Sequence, residues 1–115
     1  MADEGYEYCK IFFRAGTRAV VDLLTAPLGV HADRGLFALS DMDVEVLQNP
    51  DRGLAEGFIG WPVFVEVVPG KDTENASVVG IVSRILTAAQ SSGIPAVAAC
   101  DYEDELPWLG KVGLA

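Results

Sequence analysis

The stretch from Asn75 to Cys100 limits what this chain can fold into more than any other part of it. Val78, Ile81, Val82, Ile85, Leu86 and Ala89 recur at helical spacing, so one stripe of the segment has to be buried. Gly93 stands where a left-handed residue ends a helix, Pro95 follows, and Thr73 or Asn75 can cap the start. Directly beyond, Ala96 to Cys100 is short, small and wholly apolar, the pattern of a central strand covered on both faces. A helix that feeds straight into a buried strand implies a sheet with helices packed on it.

The first half repeats that scheme. Tyr6 to Arg14 reads as a strand, with Cys9, Ile11 and Phe13 on the likelier core face. Gly16 breaks it and Thr17 is a candidate N-cap. Val20, Val21, Leu23, Leu24 and Leu28 then form a helical stripe that Pro27 and Gly29 end. Leu36 to Leu47 reads as one extended segment interrupted by a bulge or turn at Ser40–Asp43, and Asn49-Pro50-Asp51-Arg52-Gly53 is a strong turn signal. Phe58 to Val68 reads as the next strand, with Val63, Val65 and Val67 on one face and Phe64, Glu66 and Val68 on the other. Pro62 cannot donate a ladder hydrogen bond and belongs near a strand end or an edge.

Strand, helix, interrupted strand, strand, helix, strand predicts an α+β fold of ferredoxin-like (βαββαβ) type, with two helices on one face of a four-stranded antiparallel sheet. A chain of 115 residues, 50% hydrophobic and 22% charged, suits a single domain over 1–115 that buries its own core. In that topology the central strands of the two halves pair, which can bring Cys9 and Cys100 near each other, on faces that the pattern leaves open. Two buried, reduced thiols are the expectation; a disulfide requires neighbouring strands and is disfavoured in the cytosol.

Acids outnumber bases 17 to 8, for a net charge of −9. That argues against a nucleic-acid backbone or an anionic membrane surface as partner. The start of the chain lacks the basic, then apolar, pattern of a secretory signal, and no apolar run reaches the roughly 20 residues of a membrane span, so a cytoplasmic protein is expected.

No catalytic constellation stands out. His31 with Asp33 lacks a positioned nucleophile; Ser40, Ser83, Thr17 and Cys100 qualify by residue type alone. There is no phosphate-binding glycine motif, and no Cys/His spacing for zinc. The expectation is a non-enzymatic protein with no cofactor and no metal.

The sharpest polar feature is Asp101-Tyr102-Glu103-Asp104-Glu105, with four carboxylates in five residues. Crowded like charges give folding nothing, so the segment reads either as a solvated loop or as an anionic patch for a basic partner, with Tyr102 and Trp108 as aromatic anchors. A divalent cation is a third reading, weakened by the absence of an EF-hand glycine loop. Asp41, Asp43 and Glu45 lie two apart and would form a second acidic stripe on one strand face. Trp61, beside Phe58 and Phe64, reads as core or edge cover, or as an interface anchor where exposed.

Phe58-Ile59-Gly60-Trp61-Pro62-Val63-Phe64 and Gly93 through Pro107 resemble a group of small acidic actinobacterial proteins of uncharacterised function. The chain is also similar in size, charge and expected fold to immunity proteins of polymorphic toxin systems. That similarity implies a protein-binding inhibitor that neutralises a cognate toxin domain through its acidic surface; separately, a monomer or homodimer is expected. The alternative is an ACT-like regulatory domain binding a small ligand.

Overall fold

The computed structural model describes residues 9–113. Alternating apolar residues set the strands. In β1 (Cys9–Phe13) and β4 (Val63–Pro69), Cys9, Ile11, Phe13, Val63, Val65 and Val67 are all buried on the face that meets the helices. The start expected for β1, Tyr6 to Tyr8, lies outside the described residues. Helix α1 (Thr17–Leu28) buries Val20, Leu24 and Leu28, and α2 (Asn75–Ser92) buries Val78, Val82, Ile85, Leu86 and Ala89. The strands and both helices contribute to one hydrophobic core.

The helix ends differ in detail from the sequence reading. Thr17 is the first residue of α1, with Gly16 at the cap, and Glu74 caps α2 without a side-chain hydrogen bond. Thr73 instead sends its hydroxyl to the Asp41 carbonyl. Gly29 and Gly93 close the two helices in left-handed conformations, as their positions predict.

The remaining strands are β2 (Leu36–Ala38), β3 (Met42–Gln48), β5 (Ala96–Ala99) and β6 (Lys111–Val112). The sheet has six strands in the order β2-β3-β4-β1-β5-β6, with every paired neighbour antiparallel. This corrects the four-stranded expectation in two places. The interrupted segment 36–47 is a hairpin, because Leu39 bonds back to Met42 and lets β2 fold onto β3. At the other edge, the end of the described chain returns as β6 against β5. The class is α+β.

Phe58 to Pro62 is not strand. Phe58–Gly60 forms a short 3-10 turn that crosses the face of the sheet opposite the helices. There Phe58 meets Phe12 edge-on, with ring centroids 5.3 Å apart. Phe64 lies 5.8 Å from Phe12, and the Lys10 ammonium sits 4.4 Å from the Phe64 centroid.

The loop that carries this turn hangs on one buried polar residue. Asn49 is 2% exposed. Its amide donates to the carbonyls of Ile59 (2.7 Å) and Trp61 (2.8 Å), and its side-chain oxygen accepts from the Asp51 N–H (3.0 Å). Its carbonyl accepts from the Arg52 guanidinium at 3.0 Å. Gly60 is required here, because a Cβ would stand 2.1 Å from the Ala55 carbonyl oxygen.

Candidate functional site

The sheet register decides where the acidic residues gather. β1 runs antiparallel to both β4 and β5, and β4 is antiparallel to β3. The start of β3, the end of β4, the start of β1 and the end of β5 therefore share one end of the sheet. Cys100 follows β5 on the level of Cys9, Val67 and Val44. Asp101 lies just beyond that level, as Asp43 does on β3. Three inter-strand steps of about 4.8 Å separate the two acidic groups, about 14 Å in all. The two segments far apart in sequence thus belong to one end of the molecule.

The acidic stripe is shorter than its sequence spacing suggests. Asp43 and Glu45 share the face opposite the helices, Asp43 exposed and Glu45 half-buried. Asp41 precedes β3 in the turn, so it is exposed but not part of a strand stripe. Glu45 stands directly opposite Glu66, which in turn faces Lys10. Like charges paired across strands oppose sheet formation; Lys10 is the nearest compensating cation in that row.

Asp41 also borders a surface cleft of about 470 Å³ between the β2–β3 turn and the β4–α2 turn. Asp41, Asp43, Lys71 and Asp72 line it. Its walls are tied together by the Asp41 carbonyl, which accepts from the Gly70 N–H at 2.9 Å and from the Thr73 hydroxyl. In residues 39–43, 70–74 and 101–105, Lys71 is the one basic side chain. The positive N-terminal end of α2 opens at this same end and favours the carboxylates of Asp72 and Glu74.

The segment after β5 is folded, not a free tail. Glu103–Glu105 makes a 3-10 turn, and Tyr102 (1% exposed) and Leu106 pack into the core on either side of it. Tyr102 is therefore a core residue, which corrects the expectation of an aromatic anchor for a partner. Its acidic neighbours hid that role. Burying Tyr102 and Leu106 turns Asp101, Asp104 and Glu105 outward, while Glu103 is half-buried and accepts the Cys100 N–H at 3.0 Å.

Trp108 and Leu109 are 48% and 62% exposed. Both adopt left-handed backbone conformations, with φ of 56° and 54°. That region costs a residue with a side chain roughly 1–2 kcal/mol. Two consecutive large apolar residues are thus held outward at the expense of stability, beside the acidic turn. Trp61, at the opposite end of the sheet, is half-buried and separate from this group.

Under the acidic turn lies a cluster of two thiols and a phenol. Cys9 is fully buried and Cys100 partly exposed. The neighbouring Cys100 thiol and its own burial raise Cys9 above the usual thiol range, and the neighbouring Cys9 lowers Cys100. Burial pushes the Tyr102 phenol up, and the two sulfurs beside it add to the effect.

His31 and Asp33 are both exposed, and Asp33 is engaged through its backbone with Leu36. Among the described residues no group of three or more His, Cys, Asp or Glu side chains is arranged to hold a metal ion. No helix there is long and apolar enough to cross a membrane. No protein family, curated protein or solved structure matched the chain.

Proposed function

We propose that the protein is a non-enzymatic binding module whose acidic sheet end docks a basic protein, as an immunity-type inhibitor of a cognate toxin would. The observation that carries this reading is the convergence of Asp41 and Asp43 with Asp101, Asp104 and Glu105 at one end of the sheet, next to exposed Trp108 and Leu109. Carboxylates there mimic a polyanionic substrate and occupy a basic cleft; a nuclease active site is such a cleft. Trp108 supplies the apolar contact that holds the complex after encounter. A cytoplasmic setting is part of the proposal.

The fold reading that accompanies it is a ferredoxin-like domain extended at both sheet edges. Its support is the order β3-β4-β1-β5 of the four inner strands, together with the two helices on one face. The second functional reading, an ACT-like ligand-binding domain, is favoured by the cleft beside Asp41 and Lys71.

The test is co-expression with a toxin encoded beside this protein's gene. Rescue of growth and a stable co-purifying complex are expected, with both lost when Asp101, Glu103, Asp104, Glu105 and Trp108 are replaced together. Failure of the protein to bind or neutralise any neighbour-encoded toxin overturns the reading and shifts the weight to the ligand-binding alternative.

A further inference from the structure

The two cysteines stand in a special register. Arg14 donates its N–H to the Pro95 carbonyl at 3.1 Å, which marks 14 and 95 as a hydrogen-bonded pair. Pairs along an antiparallel ladder alternate in type. Counting back through Phe13–Ala96, Phe12–Val97, Ile11–Ala98 and Lys10–Ala99 makes Cys9–Cys100 a non-hydrogen-bonded pair. The Cys100 N–H fits that assignment, since it bonds to the Glu103 carboxylate and not back across to β1. Non-hydrogen-bonded partners have Cα atoms about 4.5 Å apart and the closer side chains. That separation lies at the short end of the range a disulfide spans, about 4.4–6.8 Å.

We propose that Cys9 and Cys100 form a reversible peroxide-responsive pair, in which a hydroperoxide oxidises Cys100 and Cys9 resolves it to an intramolecular disulfide. The partly exposed sulfur is the one a small oxidant reaches; the fully buried one is held against it. The Cys100 thiolate sulfur attacks the O–O bond of hydrogen peroxide. An S–O bond forms, the O–O bond breaks, and the departing hydroxide takes up a proton as water, leaving a sulfenic acid. The Cys9 sulfur then attacks the Cys100 sulfur. The S–S bond forms as the S–O bond breaks, and the hydroxyl leaves as water with the Cys9 proton. Two thiols and one peroxide give one disulfide and two waters.

The Cys9 neighbour lowers Cys100, which favours the thiolate needed for the first step. Thiol–disulfide exchange with a dithiol restores both thiols, so the pair can carry a reversible signal. Its position gives it an output. The bond would tie β1 to the point where the acidic turn leaves β5, next to Tyr102 and the Glu103 contact. The proposal stands whether or not that turn binds a toxin.

The experiment treats the reduced, full-length protein with hydrogen peroxide and follows intact mass, free thiols and peptide maps. The expected result is loss of two hydrogens, loss of both thiols, a Cys9–Cys100 linked peptide, and full reversal by dithiothreitol. Cys9→Ser should leave a sulfenic acid at Cys100 that a dimedone probe traps, and Cys100→Ser should leave Cys9 unreacted. The peptide map of the unsubstituted protein needs no variant to fold. Sulfinic acid at Cys100 with Cys9 still a free thiol, or disulfides formed only between molecules, would overturn the proposal.

Discussion

Two irregular segments cap opposite ends of the sheet, and they are built on opposite principles. The 49–62 loop is organised by local rules: a buried Asn49 satisfies the carbonyls that the loop would otherwise orphan, and Gly60 sits where nothing larger fits. The 100–110 segment is anchored by Tyr102 and Leu106 but breaks local rules around those anchors. It crowds carboxylates and places Trp108 and Leu109 in left-handed conformations at the surface. The charge density differs too: residues 49–62 carry Asp51 and Glu56 beside Arg52, whereas residues 101–105 carry four carboxylates and no base. Departures from local consistency in an otherwise consistent fold concentrate at functional positions. The contrast is therefore the physical reason to place function at the acidic end.

The largest effect expected is at the anchor the two regions do not share. Tyr102→Ala should destabilise the protein by about 3–5 kcal/mol, since it empties a large core volume. Equilibrium denaturation checks this; a loss below about 0.5 kcal/mol, the scale of surface substitutions, would mean the acidic segment is not anchored as described. Asn49→Ala should cost about 2–3 kcal/mol, because it removes hydrogen bonds worth about 1 kcal/mol each and leaves buried carbonyls unpaired. Partner binding should survive that substitution once the protein is folded. Loss of binding at full occupancy of the native state would move the functional end to the loop.

A pH series separates the thiol–phenol cluster from the loop, which has no such group. Cys100 is lowered, so stability rises as pH approaches the usual thiol range, near 8.5. Cys9 and Tyr102 are raised, so the native state keeps protons that the unfolded chain loses. Stability should therefore fall above about pH 8.5 through Cys9 and more steeply above about pH 10 through Tyr102, by about 1.4 kcal/mol per pH unit for each group. Thermal melts from pH 7 to 11 on the reduced protein test this, and Cys9→Ala should delay the onset of the decline. Leu109→Gly should have the smallest effect, within about 1 kcal/mol, because relief of left-handed strain offsets the entropy of the added glycine. A stability loss well above that would show the left-handed turn to be packed and not strained.

Legibility in the sequence follows the same division. β1, β4 and both helices carry several periods of a pattern, so their core faces can be read from Ile11, Val65, Val82 and their neighbours, and β5 is marked by its wholly apolar run after Pro95. β2 and β6 are three and two residues long, too short for periodicity to register, and the sheet's two extra edges were hidden for that reason. Phe58-Ile59-Gly60-Trp61 looks like strand because it is apolar, yet Asn49 pulls its carbonyls into a turn. Tyr102 reads as surface because acids surround it; its burial follows from a chain reversal that no local pattern encodes. Pairing the central strands can bring Cys9 and Cys100 near each other, but the face they share follows from the register, and the left-handed state of Trp108 and Leu109 left no signal in residue type.

The central claim is that the acidic end is a docking surface for a basic partner. The most direct test is the association rate with the neighbour-encoded toxin between about 50 and 500 mM salt, the range over which exposed charges become screened. It is measured for the unsubstituted protein and for a variant carrying Asp101→Asn, Glu103→Gln, Asp104→Asn and Glu105→Gln. The account predicts a rate that falls about tenfold or more across the series, and a variant that associates slowly with little salt dependence. The variant's thermal stability should be unchanged or higher, because like charges have been removed. A salt-independent rate that the fourfold neutralisation leaves intact would contradict it.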